Sequence, residues 1–230
     1  MNSTNTLYIA GFRIDEPIVT ITDLLVSFLC FYFSYRLHRS GKKEKTFINF
    51  KIYFFTMGIA TFLGGIIGHA FFYLLGFGWK LPGWIISMIS IMFVERAVIE
   101  HTRIWLNKSV VKIFKIINII EFLAFLTLTI STLNFFFVEF HSAYGLMFVV
   151  LSLETFLFIR TRNKAGKYLL TAVGFAALAA LFFMNKISLH QWFNYIAVSH
   201  VFMAVAAIFF YVGAKNIDMS VVDEKTTKNN

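Results

Sequence analysis

A chain of 230 residues that is 58% hydrophobic and only 14% charged, with mean hydropathy +0.72, is not built as a soluble domain, since soluble chains carry about 25% charged residues. Its 21 Lys and Arg outnumber 12 Asp and Glu, for a net charge of +9. These values exclude a soluble enzyme, a nucleic-acid-binding domain and a disordered regulator as the main body of the chain.

Residues 1–16 form a polar N-terminal segment ending in Arg13, Asp15 and Glu16. It has no apolar core of its own, so no cleavable leader is expected. Seven apolar stretches follow, approximately over 17–37, 48–77, 82–105, 110–133, 140–160, 168–185 and 190–214. Each is close to or above the roughly 20 residues that a helix needs to cross hydrocarbon. Strand alternation of the outer-membrane barrel kind is missing from them. The predicted fold is an all-α integral membrane protein, a seven-transmembrane-helix bundle over 17–214 with a solvated tail over 215–230.

Lys and Arg concentrate in alternate connections. Arg36, Arg39, Lys42, Lys43, Lys45 and Lys51 lie around the first, Arg103, Lys108, Lys112 and Lys115 around the third, and Arg160, Arg162, Lys164 and Lys167 around the fifth. The opposite connections hold only Lys80 and Lys186, and the N-terminal segment Arg13. This asymmetry predicts an outside N-terminus and a cytoplasmic C-terminus. The excess positive charge therefore reads as topology and attraction to anionic membrane lipids, with no nucleic-acid partner. Cys30 is the single cysteine and lies in an apolar run, so no intrachain disulfide is available. Gly64 and Gly68, with Gly65 between them, form a small-residue pair suited to close helix packing, and the Ala-rich stretch from Ala172 to Ala180 offers another such surface.

Ionisable residues inside spans are costly and tend to mark sites or pathways. On the expected boundaries Asp23, His69 and His200 lie about 9, 12 and 15 Å below the outer surface, at 1.5 Å of rise per residue. Two imidazoles and a carboxylate in one layer are a donor set that can hold zinc with a position left for water. The plainer alternative has each histidine hydrogen-bonded to a neighbouring helix, through Ser199 or Asn194. A second set, Glu95, Arg96, Glu100, Glu121 and Glu154, lies deeper. Arg96 and Glu100 are four apart and are expected to neutralise one another. Glu95 and Glu121 each need another partner or a proton, and either structural pairing or a proton or ion path through Glu95, Glu121 and Glu154 meets that need. The seventh span lacks a mid-helix lysine for retinal, and the chain carries no phosphate loop, nucleophile elbow or HExxH helix.

The stretch Gly64-Gly65-Ile66-Ile67-Gly68-His69, the segment Ser199-His200-Val201-Phe202 and the acidic approach Asp15-Glu16-Pro17 leading to Asp23 give a layout that resembles the alkaline ceramidase, adiponectin-receptor and haemolysin-III-like superfamily of seven-helix membrane hydrolases. The resemblance implies a zinc site in the outer half, with His69 and His200 as metal ligands, Asp23 completing it in a catalytic role, and hydrolysis of a lipid amide or ester. It departs from the family pattern at Gly65, where a serine is usual, at Ala204, the place of a second helix-seven histidine, and at Lys80, near the expected helix-three aspartate. The Phe- and Ile-rich style is similar to that of small bacterial seven-helix proteins, which implies the bacterial inner (cytoplasmic) membrane. Two other functions stay open. One is non-catalytic binding of a lipid or small hydrophobic ligand, with a homo-oligomer among the arrangements; the other is proton or ion conduction.

Overall fold

The computed structural model describes residues 5–218; most of the expected tail, from 219 on, lies outside the described residues. Within them the chain opens with a β-hairpin that the polar composition of this segment did not announce. Strands β1 (Thr6–Ile9) and β2 (Phe12–Asp15) pair antiparallel, with Ile9 opposite Phe12 and Thr6 opposite Asp15. The two-residue loop Ala10-Gly11 has φ of 50° and 82°, the left-handed pair whose twist matches that of flanking strands. Arg13 closes a fork on both Asp15 oxygens at 2.8 and 2.9 Å and lies over the Tyr73 ring.

Seven helices long and apolar enough to cross a membrane follow: α1 (Pro17–Arg39), α2 (Lys45–Ala70), α3 (Phe77–Trp105), α4 (Lys108–Thr132), α5 (Phe136–Thr161), α6 (Lys164–Met184) and α7 (Tyr195–Lys215). The chain is a multi-pass integral membrane protein with an all-α bundle. Pro17 starts α1 where its missing N–H costs nothing. Asn107, Asn163 and Asn194 cap α4, α6 and α7 by accepting from backbone N–H groups of the first turn. The connections are short, so consecutive helices lie antiparallel.

Among the boundaries that differ from the sequence expectation, two move the histidines. The second apolar stretch runs to residue 77, but α2 ends at Ala70; Phe71 leaves helical geometry (φ −118°, ψ 22°) before a separate short turn at Phe72–Leu75. The seventh begins at Tyr195 rather than 190, because the Asn194 side chain accepts from Ile196 and Ala197 N–H and sets the start there. His69 is thus the penultimate residue of α2. His200 is five residues into α7, about 7.5 Å along it, half the depth expected. Both α2 and α5 also widen into π-helical segments, Gly64–Ala70 and Tyr144–Val150.

α1 packs between α2 and α7, α2 lies on α3, α6 on α7, and α3 reaches α4 and α5. At the basic end an aromatic core locks α1, α2 and α7, with Phe33 stacked on Tyr211 at 4.5 Å and Phe210 edge-on to Tyr53 at 5.7 Å. Phe47, Phe50 and Phe54 are fully buried beside it. α4 is different: only Val111, Asn118, Glu121 and Thr129 of its residues are buried, a narrow stripe that is mostly polar. Its attachment therefore rests on interhelical polar contacts, the glue available where lipid supplies no hydrophobic drive.

The small-residue pair also resolves differently. A Cβ at Gly65 would lie 3.0 Å from Asp23 Cβ and 3.3 Å from Thr20 O, and one at Gly64 would lie 3.3 Å from Asp23 Oδ2, whereas Gly68 has nothing within 4 Å. Near Asp23 the close approach of α1 to α2 is made by Gly64 and Gly65, adjacent residues in the π segment, and not by Gly64 and Gly68; further along α2, Gly58 lies as tightly against Phe31. Gly174, in the Ala-rich stretch of α6, likewise has open space around it.

Candidate functional site

Asp23, His69 and His200 come together at the hairpin end, from α1, α2 and α7. His69 Nε2 lies 3.8 Å from Asp23 Oδ2, and His200 Nε2 lies 3.4 Å from Asp23 Oδ1. The two rings stand edge to face, 6.3 Å between centroids. Asp23 is 4% exposed and His200 9%; His69 is partly buried. The Gly64-Gly65 step leaves the room in which the Asp23 carboxylate lies against α2.

The proton positions follow from the partners. His69 Nδ1 donates to Glu16 Oε2 at 2.7 Å, which directs its Nε2 lone pair toward Asp23. The Thr22 hydroxyl gives its hydrogen to Val19 O at 2.9 Å, so toward His200 Nδ1, 3.1 Å away, it can only accept. His200 therefore carries its proton on Nδ1 and also presents Nε2 to Asp23. Two imidazole nitrogens, each with its second nitrogen held, face opposite oxygens of one carboxylate at distances longer than a good hydrogen bond. The alternative partners, Ser199 and Asn194, are occupied elsewhere: Ser199 donates to Ile196 O and Asn194 caps α7.

Glu16 and Thr22 were not singled out in the sequence, although Glu16 belongs to the acidic approach. Burial opposes, but the His69 hydrogen bond outweighs it and holds the Glu16 carboxyl below its ordinary value. Glu16 also lines an open cleft of about 550 Å³ at this end, with Pro17, Val19, His190, Trp192 and Tyr195 among its walls.

A family model for a family of unknown function, DUF6962, matches residues 18–219. The chain belongs to this family. The match takes in all seven helices except Pro17 at the start of α1, with Asp23, His69 and His200, and leaves the hairpin and Glu16 outside. No curated protein and no solved structure matches the chain.

The deeper ionisable residues do not pair as expected. Arg96 does not neutralise Glu100: its Nε donates to Asn118 Oδ1 at 2.8 Å, while Glu100 is held by Lys115 at 2.5 Å and Arg103 at 3.7 Å. The reason is register. Lys115, Asn118 and Glu121 follow one another at steps of three on α4 and run antiparallel to α3, so each meets a successive level of it. Glu95 receives Asn118 Nδ2 at 3.2 Å, and Glu121 lies 2.6 Å from His141 Nδ1. Glu154 pairs with His101 at 2.8 Å. His101 and His141 had not been marked in the sequence. Each lies inside an apolar stretch, a signal that applied to them as well as to His69 and His200.

Proposed function

We propose that this protein is a metal-dependent membrane hydrolase acting on a lipid amide or ester, with its site at the hairpin end and that end facing outward. The observation that carries the reading is the convergence of His69 Nε2 and His200 Nε2 on Asp23, with both Nδ1 atoms held by other partners. Metal-ligating histidines characteristically have their second nitrogen fixed in this way. The orientation rests on the basic connections at the opposite end. The shallow depth supports a substrate bond near the headgroup layer, and the cleft beside Glu16 gives a headgroup room.

Two imidazoles and a carboxylate fit zinc by donor type, and His69, His200 and Asp23 would hold it. Zinc held there supplies Lewis acidity toward a carbonyl and activates water at neutral pH. The chain's own part is to keep this set oriented. Glu16 retains the proton on His69 Nδ1, and Thr22, anchored to Val19, retains the one on His200 Nδ1. Gly64 and Gly65 let Asp23 reach between the rings. Arg13, clamped to Asp15 and laid on Tyr73, fixes the hairpin that carries the chain into Glu16.

A non-catalytic binder of a lipid or small hydrophobic ligand is the second reading. It is favoured by the spacing, because Asp23 bridges the rings through different oxygens, and among the described residues the group of three whose donor atoms all lie within 4.8 Å of one another is Glu95, Glu121 and His141. The full-length protein in liposomes, offered N-acyl amides and acyl esters, separates the two. The hydrolase reading expects turnover that falls at least about 100-fold in His69→Ala and His200→Ala. Turnover equal in parent and variants, or a folded parent without turnover, overturns it and leaves the binder.

A further inference from the structure

Glu95, Glu121 and His141 lie in the bundle interior on α3, α4 and α5, with one donor atom from each all within 4.8 Å of one another. Glu95 and His141 are fully buried and Glu121 is 9% exposed. The cluster is separate from the site at the hairpin end. Gly83 of α3 stands level with Gly64, since a Cβ there would lie 3.8 Å from Gly64 N. Glu95 comes 12 residues further along α3, about 18 Å deeper at 1.5 Å per residue.

The outward atoms of the cluster are spoken for. His141 Nε2 is 3.0 Å from Met88 O; a carbonyl only accepts, so Nε2 carries the hydrogen and Nδ1 is the nitrogen turned to the carboxylates. Glu95 Oε2 accepts from Asn118, which in turn accepts from Arg96 and donates to Met92 O. Of the remaining atoms, His141 Nδ1 lies 2.6 Å from Glu121 Oε1, while Glu95 Oε1 and Glu121 Oε2 are buried without a hydrogen-bond partner. Gly145, in the π segment of α5, is packed so closely that a Cβ there would fall 2.5 Å from Glu95 Oε1. π segments of this kind are frequent at functional sites. Two carboxylates this close disfavour each other's charge unless a cation is near; Arg96 is separated from Glu95 by Asn118, and His141, 2.6 Å from Glu121 Oε1, is one group for two carboxylates.

We infer that Glu95, Glu121 and His141 form a binding site for a divalent first-row transition-metal ion, joining α3, α4 and α5 in the bundle interior. Imidazole and carboxylate ligands suit zinc and manganese among such ions. The Met88 carbonyl is the orienting partner of the histidine, and Asn118 that of Glu95. The ion joins α4, whose other buried residues are only Val111, Asn118 and Thr129, to the rest of the bundle.

The test uses full-length protein in detergent, stripped with chelator, reloaded with Zn²⁺ or Mn²⁺, dialysed and analysed for metal, with a thermal melt on each sample. His69→Ala/His200→Ala removes the hairpin-end donors and leaves this cluster intact. It is expected to keep about one ion per chain, and adding Glu121→Gln or His141→Asn is expected to remove it. In the parent background those two changes are expected to lower the content by about one ion, which keeps the test decisive if the combined variant does not fold. If parent and His69→Ala/His200→Ala hold the same single ion, the inference stands and the hairpin-end metal reading falls. A His69→Ala/His200→Ala protein that melts cooperatively and binds neither ion overturns the inference, and leaves a proton shared by Glu95 and Glu121.

Discussion

Gly65→Ala tests how closely α1 must approach α2 for the Asp23 site to exist. The added Cβ would stand 3.0 Å from Asp23 Cβ, 3.3 Å from Thr20 O and 3.7 Å from Leu24 Cγ. Carbon atoms in comfortable contact are about 3.5–4.0 Å apart, so the first contact overlaps by several tenths of an ångström. All three neighbours belong to α1 and one is a backbone carbonyl, so relief requires moving the helix, not rotating a side chain. Such overpacking costs about 1–3 kcal/mol. Replacing a helical Gly by Ala returns about 0.5–1 kcal/mol, but Gly68→Ala gains the same and meets nothing within 4 Å. The difference between the two variants therefore isolates packing, at about 1–3 kcal/mol. For a chain of this size it corresponds to a Tm gap of about 2–12 °C, read by thermal unfolding in detergent. Equal melting of Gly65→Ala and Gly68→Ala would refute the reasoning.

Three further changes probe neighbouring parts. The His69 hydrogen bond lowers the folded Glu16 pKa, so the contribution of Glu16 is complete above the ordinary carboxyl value and is lost as pH falls through the folded one. Melts across the acid range should show a shallower loss of stability for Glu16→Gln than for the parent. Asn118→Leu leaves Glu95 Oε2 and half-buried Arg96 Nε without their partner and should destabilise by about 1–3 kcal/mol for the buried Glu95 carboxyl left unpaired, measured by the same melts. Asn194→Ala removes the acceptor for two N–H groups of α7 and should cost about 1 kcal/mol, with amide exchange rising at Ile196 and Ala197.

The seven helices were legible because a membrane span announces itself by length and apolarity alone. Even α4, most of which is not buried in the bundle, was found. Their ends were less so: Phe71 ends α2 and Asn194 starts α7 inside stretches that remain apolar, and a hydropathy reading does not see a cap. The hairpin was hidden in a short polar segment, and Ala10-Gly11 is not one of the Asn-Gly, Asp-Gly or Gly-Gly pairs that announce a two-residue turn. Asp23, His69 and His200 were found by chemistry and depth, and they meet even though two of the depths were overestimated. What periodicity could not supply is the rotation and register of one helix against another. Arg96 and Glu100 are well spaced on α3, yet α4 presents Lys115 and Asn118 to them first. The same contacts between helices decide that Glu121 meets His141, Glu154 meets His101, and Glu16 reaches back to His69.

Metal content per chain in gently purified full-length protein, beside the His69→Ala/His200→Ala variant, tests the proposed hairpin-end site most directly. The account predicts that the parent holds about one zinc per chain more than the variant, while the variant still melts cooperatively. Equal metal content in the two folded proteins would contradict it and leave Asp23, His69 and His200 as a buried polar contact that joins α1, α2 and α7.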